Sequence, residues 1–409
     1  MVSSTSQQPP AKLEPLPKKT RPTLVTVALL VGTFLSSMDV NVVGTSLPTV
    51  VSQLGGLELY GWVFAAYLLT STTTLPLYGR LADIYGRKPM YLLAVGLFLT
   101  GSVMCGLAQT MVQLILFRAL QGLGAGGLIP ITLTLFGDMY RAEKRALVQG
   151  IFSVVWGVSS VLGPLIGGAL VTLASWHWVF WVNLPMGLAA ALVLFFSLHE
   201  DPKKRDPGQR VNFPSALLLI SSLTCALVAL QRLGEGYGAE ALTMGLALAA
   251  ALFGALQLLL ERRSSSPMFP AEVFSQRAAV VTYLFGLASG SILFAVLAYV
   301  PLFVQGVLHG SPTRAGLALV PLSVTWTAAT FTIGWFSRRL GYRTVIISGG
   351  ALVLAGVATL LLLRASPSQA LLYLGMSIIG LGMASIVTAP TLAVQDIMPW
   401  SSRAMATAM

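Results

Sequence analysis

Long apolar runs separated by short polar breaks fill the chain from residue 24 onward. Twelve of them occupy residues 24–46, 62–78, 90–108, 111–136, 146–173, 179–198, 213–231, 241–260, 278–304, 315–336, 344–363 and 370–390. At about 1.5 Å of rise per residue, each is long enough for a helix to cross a hydrocarbon layer about 30 Å thick. The pattern predicts an all-α membrane protein with twelve spans. Residues 1–23 break it, being polar, proline-rich and basic. They read as a disordered cytoplasmic tail. A cleaved leader is not expected, because no small-residue cleavage pattern follows a short apolar core and the first run contains Asp39.

Charge supports this reading and sets an orientation. Only 10% of residues are charged and 55% are hydrophobic, which excludes an ordinary soluble protein. With the N-terminus inside, the tail and the turns after even-numbered runs hold nearly all the Lys and Arg. The opposite turns hold only Arg232, Arg314 and Arg364. The net charge of +11 is therefore spread over topology-setting turns rather than gathered into a face for nucleic acid. Cys105 and Cys225 lie in apolar runs and read as core residues. Three histidines, with no H-E-x-x-H, G-x-S-x-G or Walker pattern, point away from an enzyme, a metal site or an ATP motor.

A dense knot of charge joins the second and third runs: Gly79-Arg80-Leu81-Ala82-Asp83-Ile84-Tyr85-Gly86-Arg87-Lys88. Its glycines allow a tight reversal and a close approach of the flanking helices. The stretch Gly334-Trp335-Phe336-Ser337-Arg338-Arg339-Leu340-Gly341-Tyr342-Arg343 repeats it, with Arg338 in place of Asp83. A repeated unit of this kind is how many transporters are built. The first copy resembles the signature loop of the major facilitator superfamily.

Two charges, Asp39 and Arg118, lie inside runs. Ionisable residues within a membrane are costly and face a cavity or a partner. Counted along their runs, Asp39 lies about 8 Å and Arg118 about 10 Å from the outer face, so the two depths match. Burial favours a neutral acid and a nearby guanidinium favours the carboxylate. A buried Asp39–Arg118 pair could therefore act as a proton switch, or as a static pair that fixes helix packing.

The sequence around each candidate strengthens the family resemblance. Ser37-Met38-Asp39-Val40-Asn41 resembles the first-span motif of drug:proton antiporters. Arg118-Ala119-Leu120-Gln121-Gly122 resembles the superfamily's fourth-span motif and puts Arg118, Gln121 and Gly122 on one helix face. Gly157 and Gly163-Pro164-Leu165-Ile166-Gly167-Gly168 resemble the antiporter motif of exporters, a seam for close packing bent by proline. Trp176-His177-Trp178-Val179-Phe180-Trp181-Val182-Asn183-Leu184-Pro185 is similar to a stretch of the fourteen-span branch; its tryptophans read as an interfacial belt and His177 as a surface histidine. The two signature loops stand eight runs apart, where a plain two-by-six transporter has six. The surplus is assigned to runs 213–231 and 241–260, inserted between the halves. The same resemblance leads to the expectation that the chain stops short of the last two of fourteen spans.

The resemblance implies a two-bundle helical transporter. Its parts would be a tail (1–23), a six-helix bundle (24–198), linkers with two inserted helices (199–277), and the first four helices of a second bundle (278–409). It implies proton-coupled export of lipophilic, cationic or neutral small molecules such as drugs across a bacterial inner membrane, driven by the proton gradient with no cofactor, by a monomer. Asp39 would carry the proton and Arg118 modulate it. Gly79, Asp83, Gly86, Arg87 and Lys88 would gate the inner face, and Gly157, Gly163, Pro164, Gly167 and Gly168 would shape the rocking seam. Substrate-cavity candidates are Asn41, Gln121, Trp62, Tyr67, Trp156, Tyr283 and Trp326, with Phe294 a further aromatic of the same kind. Runs two to twelve show no acidic residue, which suggests monovalent cations or neutral compounds over dications. Two alternatives stand beside this: an exporter of one endogenous metabolite or siderophore, and a membrane scaffold or sensor that transports nothing.

Overall fold

In a computed structural model of the chain, the described residues are 20–140, 142–200, 213–234, 236–238, 240–263, 277–364 and 368–397. Nearly all the expected tail lies outside them. The first helix, α1, spans Pro22–Leu54, followed by a short 3-10 turn, Leu57–Leu59. Then come α2 (Tyr60–Tyr85), α3 (Arg87–Cys105), α4 (Met111–Met139), α5 (Ala142–Leu173), α6 (Trp178–Trp181) and α7 (Asn183–Ser197). A hairpin of α8 (Phe213–Gly234) and α9 (Ala241–Arg263) precedes α10 (Arg277–Gly306), α11 (Pro312–Leu340), α12 (Tyr342–Leu361) and α13 (Gln369–Ile397). No strand occurs among the described residues.

Each apolar run is largely helical; most helices continue past their run's ends, whereas α3 stops at Cys105 and α12 at Leu361, short of theirs. Among the described residues, 11 helical segments are long and apolar enough to cross a membrane, with α6 and α7 counting together. The long helix outside that set is α2, whose residues 70–74 are all Ser or Thr. Four of those hydroxyls, on Thr70, Ser71, Thr73 and Thr74, bond back to carbonyls three or four residues earlier, for example Thr70 Oγ1 to Ala66 O at 2.9 Å and Thr73 Oγ1 to Leu69 O at 2.8 Å. The helix thus satisfies these polar groups itself. The sixth run is broken because Pro185 has no N–H to give the Trp181 carbonyl, so α6 stops at Trp181 and α7 starts at Asn183. Thr110 and Ser311 cap α4 and α11 by accepting the backbone N–H of Gln113 and Arg314.

The later runs as read from sequence hold no acidic residue, but helices that outrun them carry some past the run ends, Asp138 in α4 and Glu261 in α9 among them. α9 runs on past residue 260, and Glu261 in its last turn is buried at 5% exposure, accepting from Ser215 Oγ. α8 packs along α9 and leans on α2.

The two signature turns belong to a repeated packing unit. An added Cβ at Gly122 of α4 would meet Thr70 Oγ1 and Tyr67 O of α2; one at Gly380 of α13 would meet Thr325 Oγ1 and Leu322 O of α11. Gly101 presses on Gln121 as Gly356 presses on Ile379. Gly124 packs on Ala94 and Phe98, and Gly382 on Gly349 and Val353. Thus α2–α4 and α11–α13 are the same arrangement built twice.

The two halves meet along α5 and α11 and between α1 and α10. Among the described residues, the hydrogen bonds that join them lie in the part of the molecule remote from the Gly86 turn. Thr49 donates to Gln305 Oε1 (3.0 Å), Gln305 Nε2 to Thr45 O (3.1 Å), Tyr60 OH to Ala298 O (2.5 Å) and Ser323 Oγ to Ser160 O (2.9 Å). Thr172 and Thr313 bond at the far end. On the Gly86 side, Tyr85, Trp335, Phe336 and Leu340 are exposed. Among the described residues, the hydrogen bonds between the halves thus gather away from the face that carries the turns.

The turn itself is locked by a residue outside the motif. Gly86 has φ 100 and ψ 152, a region that side chains other than glycine rarely enter. Glu200, just past α7, accepts the Arg87 N–H at 2.9 Å, and a Cβ on Gly86 would lie 2.6 Å from Glu200 Oε2. Gly86→Ala should therefore cost about 1–3 kcal/mol of stability, read as a lower melting temperature of the purified protein; an unchanged melting temperature would contradict this account of the turn.

Candidate functional site

A buried polar cluster in the first half draws its hydrogen-bonding groups from α1, α3, α4, α6 and α7. Asp39 of α1 is 1% exposed and Arg118 of α4 is 0% exposed. Arg118 Nη1 donates to Asp39 Oδ2 at 2.5 Å and to Gln121 Oε1 at 2.8 Å. Gln121 Nε2 donates onward to Asp39 Oδ1 at 2.9 Å. Asn183, the first residue of α7, donates Nδ2 to the same Asp39 Oδ1 at 2.9 Å and to Ser102 Oγ of α3 at 3.0 Å. Ser102 in turn donates to the Phe180 carbonyl at 2.8 Å. Tyr67 of α2 covers the guanidinium, its ring centroid 4.1 Å from Arg118 Cζ. A desolvated contact of this kind contributes up to about 2 kcal/mol.

Glycine makes this convergence possible. A side chain at Gly101 would strike the Gln121 backbone at 2.5 Å, so only glycine lets α3 bring Ser102 up to Gln121. The same holds at Gly122, which lets α2 lay Tyr67 over Arg118. The break at Val182 turns Asn183 inward. Three buried atoms in the cluster, Arg118 Nε, Arg118 Nη2 and Asn183 Oδ1, have no hydrogen-bond partner among the described residues. Groups like these are uncommon in native interiors and cluster where chemistry or motion occurs.

The sequence candidates divide into distinct places. Asp39, Arg118, Gln121 and Tyr67 come together. Gln121, read from sequence as a cavity residue, is fully enclosed and committed to the ion pair. Asn41 packs on Gly163 and donates to Ser37 O at 2.8 Å. Trp156 is exposed on α5, while Trp62 and Trp326 are half-buried. None of these four makes a hydrogen bond or ring contact with the cluster. The side chain of Tyr283 lies outside the described residues, as does that of Asp83.

The gating candidates fall at the two ends of the molecule. Arg87 pairs with Asp138 of α4 at 3.2 Å, and Lys88 Nζ lies 4.7 Å from the Phe195 ring centroid. Both contacts stay within the first half. Gly79 faces open space. Gly157, Gly168 and the Pro164 carbonyl meet Thr327, Pro312 and Gly316 of α11, whereas Gly163 and Gly167 press on α1. His177 stacks on Trp176 at 3.9 Å, and burial lowers its pKa below the ordinary histidine value.

Sequence reasoning missed Asn183, Ser102 and Glu200. Asn183 lies in the Trp176–Pro185 stretch quoted above, two residues before the proline that breaks the helix, but nothing in that stretch marked it as a partner of Asp39.

The second half does the same packing without charge. The residue four before Gly122 is Arg118; four before Gly380 stands Met376. The positions matching Gln121 and Tyr67 are Ile379 and Leu322. All three are buried apolar residues.

Comparison with known proteins agrees with this architecture. The family model described as "Major Facilitator Superfamily" matches residues 29–409. The chain is 33% identical over 382 residues to "Multidrug transporter protein MdtP" of Bacillus subtilis (strain 168), covering 93% of this chain and 70% of that protein. It is 33% identical over 380 residues to "Multidrug resistance protein 3" of the same organism, covering 92% of this chain and 73% of that protein. Among solved structures, that of a D-xylose-proton symporter superposes with a TM-score of 0.66 at 17% identity, covering 94% of this chain and 85% of the other. At that identity the likeness speaks to the fold alone. From the matched residues, the identities and the doubled helical unit, the chain belongs to the Major Facilitator Superfamily, as a multi-pass membrane transporter rather than an enzyme.

Proposed function

We propose that the chain exports lipophilic small molecules, monovalent cations or neutral compounds, in exchange for protons. Asp39 carries the proton and Arg118 modulates it. The observation that carries this reading is the asymmetry between the halves. Met376, Ile379 and Leu322 fill the equivalent space in the second half, so the fold does not need a polar cluster there. A buried pair kept only for packing can be replaced by apolar residues without loss. In the first half the costly arrangement is present and complete except for three free polar atoms. The names of the Bacillus subtilis relatives support a small-molecule cargo of the drug type.

The excess of Lys and Arg in the turns of the Gly86 side supports a cytoplasmic placement of that face; the reading is completed by a bacterial inner membrane and a monomer. The cycle is a rocking of two halves about the α5–α11 seam. Gly79, Asp83, Gly86, Arg87 and Lys88 form the inner gate. Asn41, Trp62, Tyr67, Trp156, Tyr283 and Trp326 are the cavity candidates. The proton gradient supplies the energy, and no cofactor is required.

The test is proton release from energised everted vesicles on addition of monocationic, neutral and dicationic dyes. Release with the first two classes and little with dications is the expected result. Equal release with dications would remove the charge preference. No release with any dye, from inserted and folded protein, would remove proton exchange and favour export of one dedicated metabolite.

A further inference from the structure

The Asp39 carboxylate is not held symmetrically. Oδ1 accepts two amide N–H bonds, from Gln121 and Asn183, each at 2.9 Å. Oδ2 accepts one bond, from Arg118 at 2.5 Å. A carboxylate oxygen offers about two acceptor sites, so Oδ1 is filled and Oδ2 keeps one. The amide orientations are fixed by their other partners. Gln121 Oε1 accepts from Arg118, so its Nε2 faces Asp39. Asn183 Nδ2 lies between the carboxylate and Ser102 Oγ, whose own proton goes to the Phe180 carbonyl.

We infer that Asn183, together with Gln121, selects which oxygen of Asp39 takes the proton. The amide pair closes Oδ1. The proton arriving from water therefore forms its O–H bond at Oδ2, the oxygen held by Arg118. That bond neutralises the carboxylate and leaves Arg118 facing a weakly accepting hydroxyl oxygen, so the Arg118–Asp39 contact loosens. The guanidinium keeps its charge, its bond to Gln121 and the Tyr67 face. Proton binding and loosening of Arg118 become one event. Asn183 is a positioning residue, and the inference rests on Asp39 being the proton carrier.

The other titratable groups around Asp39 are few. Arg118 faces it from α4, Tyr67 from α2 and Cys105 from α3. α6 and α7 present only the Phe180 carbonyl and Asn183. α5 has no titratable residue after Arg145, and those of α11 sit at its ends, Arg314 at one and Arg338 and Arg339 at the other. On α10, Tyr299 stacks on Tyr60 at the far face, and the Tyr283 side chain lies outside the described residues.

The test uses Asn183→Leu, which has the same branching and number of side-chain heavy atoms and removes one donor from Oδ1. An opened Oδ1 can be protonated while Arg118 stays in place. Proton leak in everted vesicles without substrate should then rise about tenfold, the ratio expected from losing one hydrogen bond to a charged group. Asn183→Gln, which keeps an amide donor, should restore a tight proton-to-substrate ratio.

A second readout needs no transport. In infrared difference spectra of purified protein in lipid, the acid C=O of protonated Asp39 is identified by its loss in Asp39→Asn. It should stretch at low frequency, because Oδ1 then accepts two amide bonds, and should move up in Asn183→Leu or Asn183→Ala. An Asp39-dependent band that neither variant moves would overturn this inference alone. No Asp39-dependent acid band at any pH would overturn the proton-carrier reading beneath it.

Discussion

Asp39→Asn should abolish substrate-driven proton release in everted vesicles, lowering it by about a hundredfold or more relative to the unchanged protein. The side chains are nearly the same size. The asparagine carbonyl can still accept the Gln121 and Asn183 donors that reach Oδ1. It cannot take up a proton, and its NH2 would point at the Arg118 guanidinium in place of Oδ2. The variant therefore separates chemistry from shape. Dye binding to the purified protein, measured alongside, should persist, because no cavity candidate other than Gln121 and Tyr67 belongs to the cluster. Proton release that survives in Asp39→Asn would mean that the proton travels through some other group.

Arg118→Met should lower stability by about 3–5 kcal/mol, because it leaves the Asp39 charge buried without its counter-charge. Methionine is the residue that the second half places at the matching position, Met376, so the cost cannot be assigned to an unsuitable shape. The double variant Asp39→Leu with Arg118→Met copies the apolar solution and should recover most of the loss. Thermal or detergent unfolding of the purified proteins completes the cycle. A single variant that costs less than about 1 kcal/mol would mean that the carboxylate finds other compensation, from the Gln121 and Asn183 amides. The double variant should fold well and transport nothing.

The helices were legible because a membrane span must satisfy its backbone internally and present apolar side chains outward. Run length alone therefore marked each one. The ends were less legible: α1 reaches Leu54 and α9 reaches Arg263, since polar residues continue a helix readily once it leaves the apolar layer. That extension is what brought Glu261 into a helix. Asp39 and Arg118 stood out because a charge inside an apolar run is rare. Asn183 and Ser102 did not, since an amide or hydroxyl in a run is commonplace, and their role depends on how α3, α4 and α7 approach. That approach is decided by Gly101 and by the break before Asn183, tertiary facts that leave no periodic trace. Glu200 was hidden for the same reason. Its partner is a backbone N–H 113 positions away in the chain.

The seam between the halves also bears on energetics. Among the described residues it holds neutral hydrogen bonds and glycine-to-backbone contacts, and no ion pair crosses it. Each neutral hydrogen bond contributes a net of about 0.5–1.5 kcal/mol, so closure of the far face amounts to several kcal/mol. Reversing a 1:99 ratio of conformers takes about 5.5 kcal/mol of differential affinity. The seam is thus of a size that one small ligand can tip. Among the described residues this far-face seam carries no ion pair, so salt should weaken it little, and the charged gate candidates of the Gly86 face are the salt-sensitive part of the equilibrium.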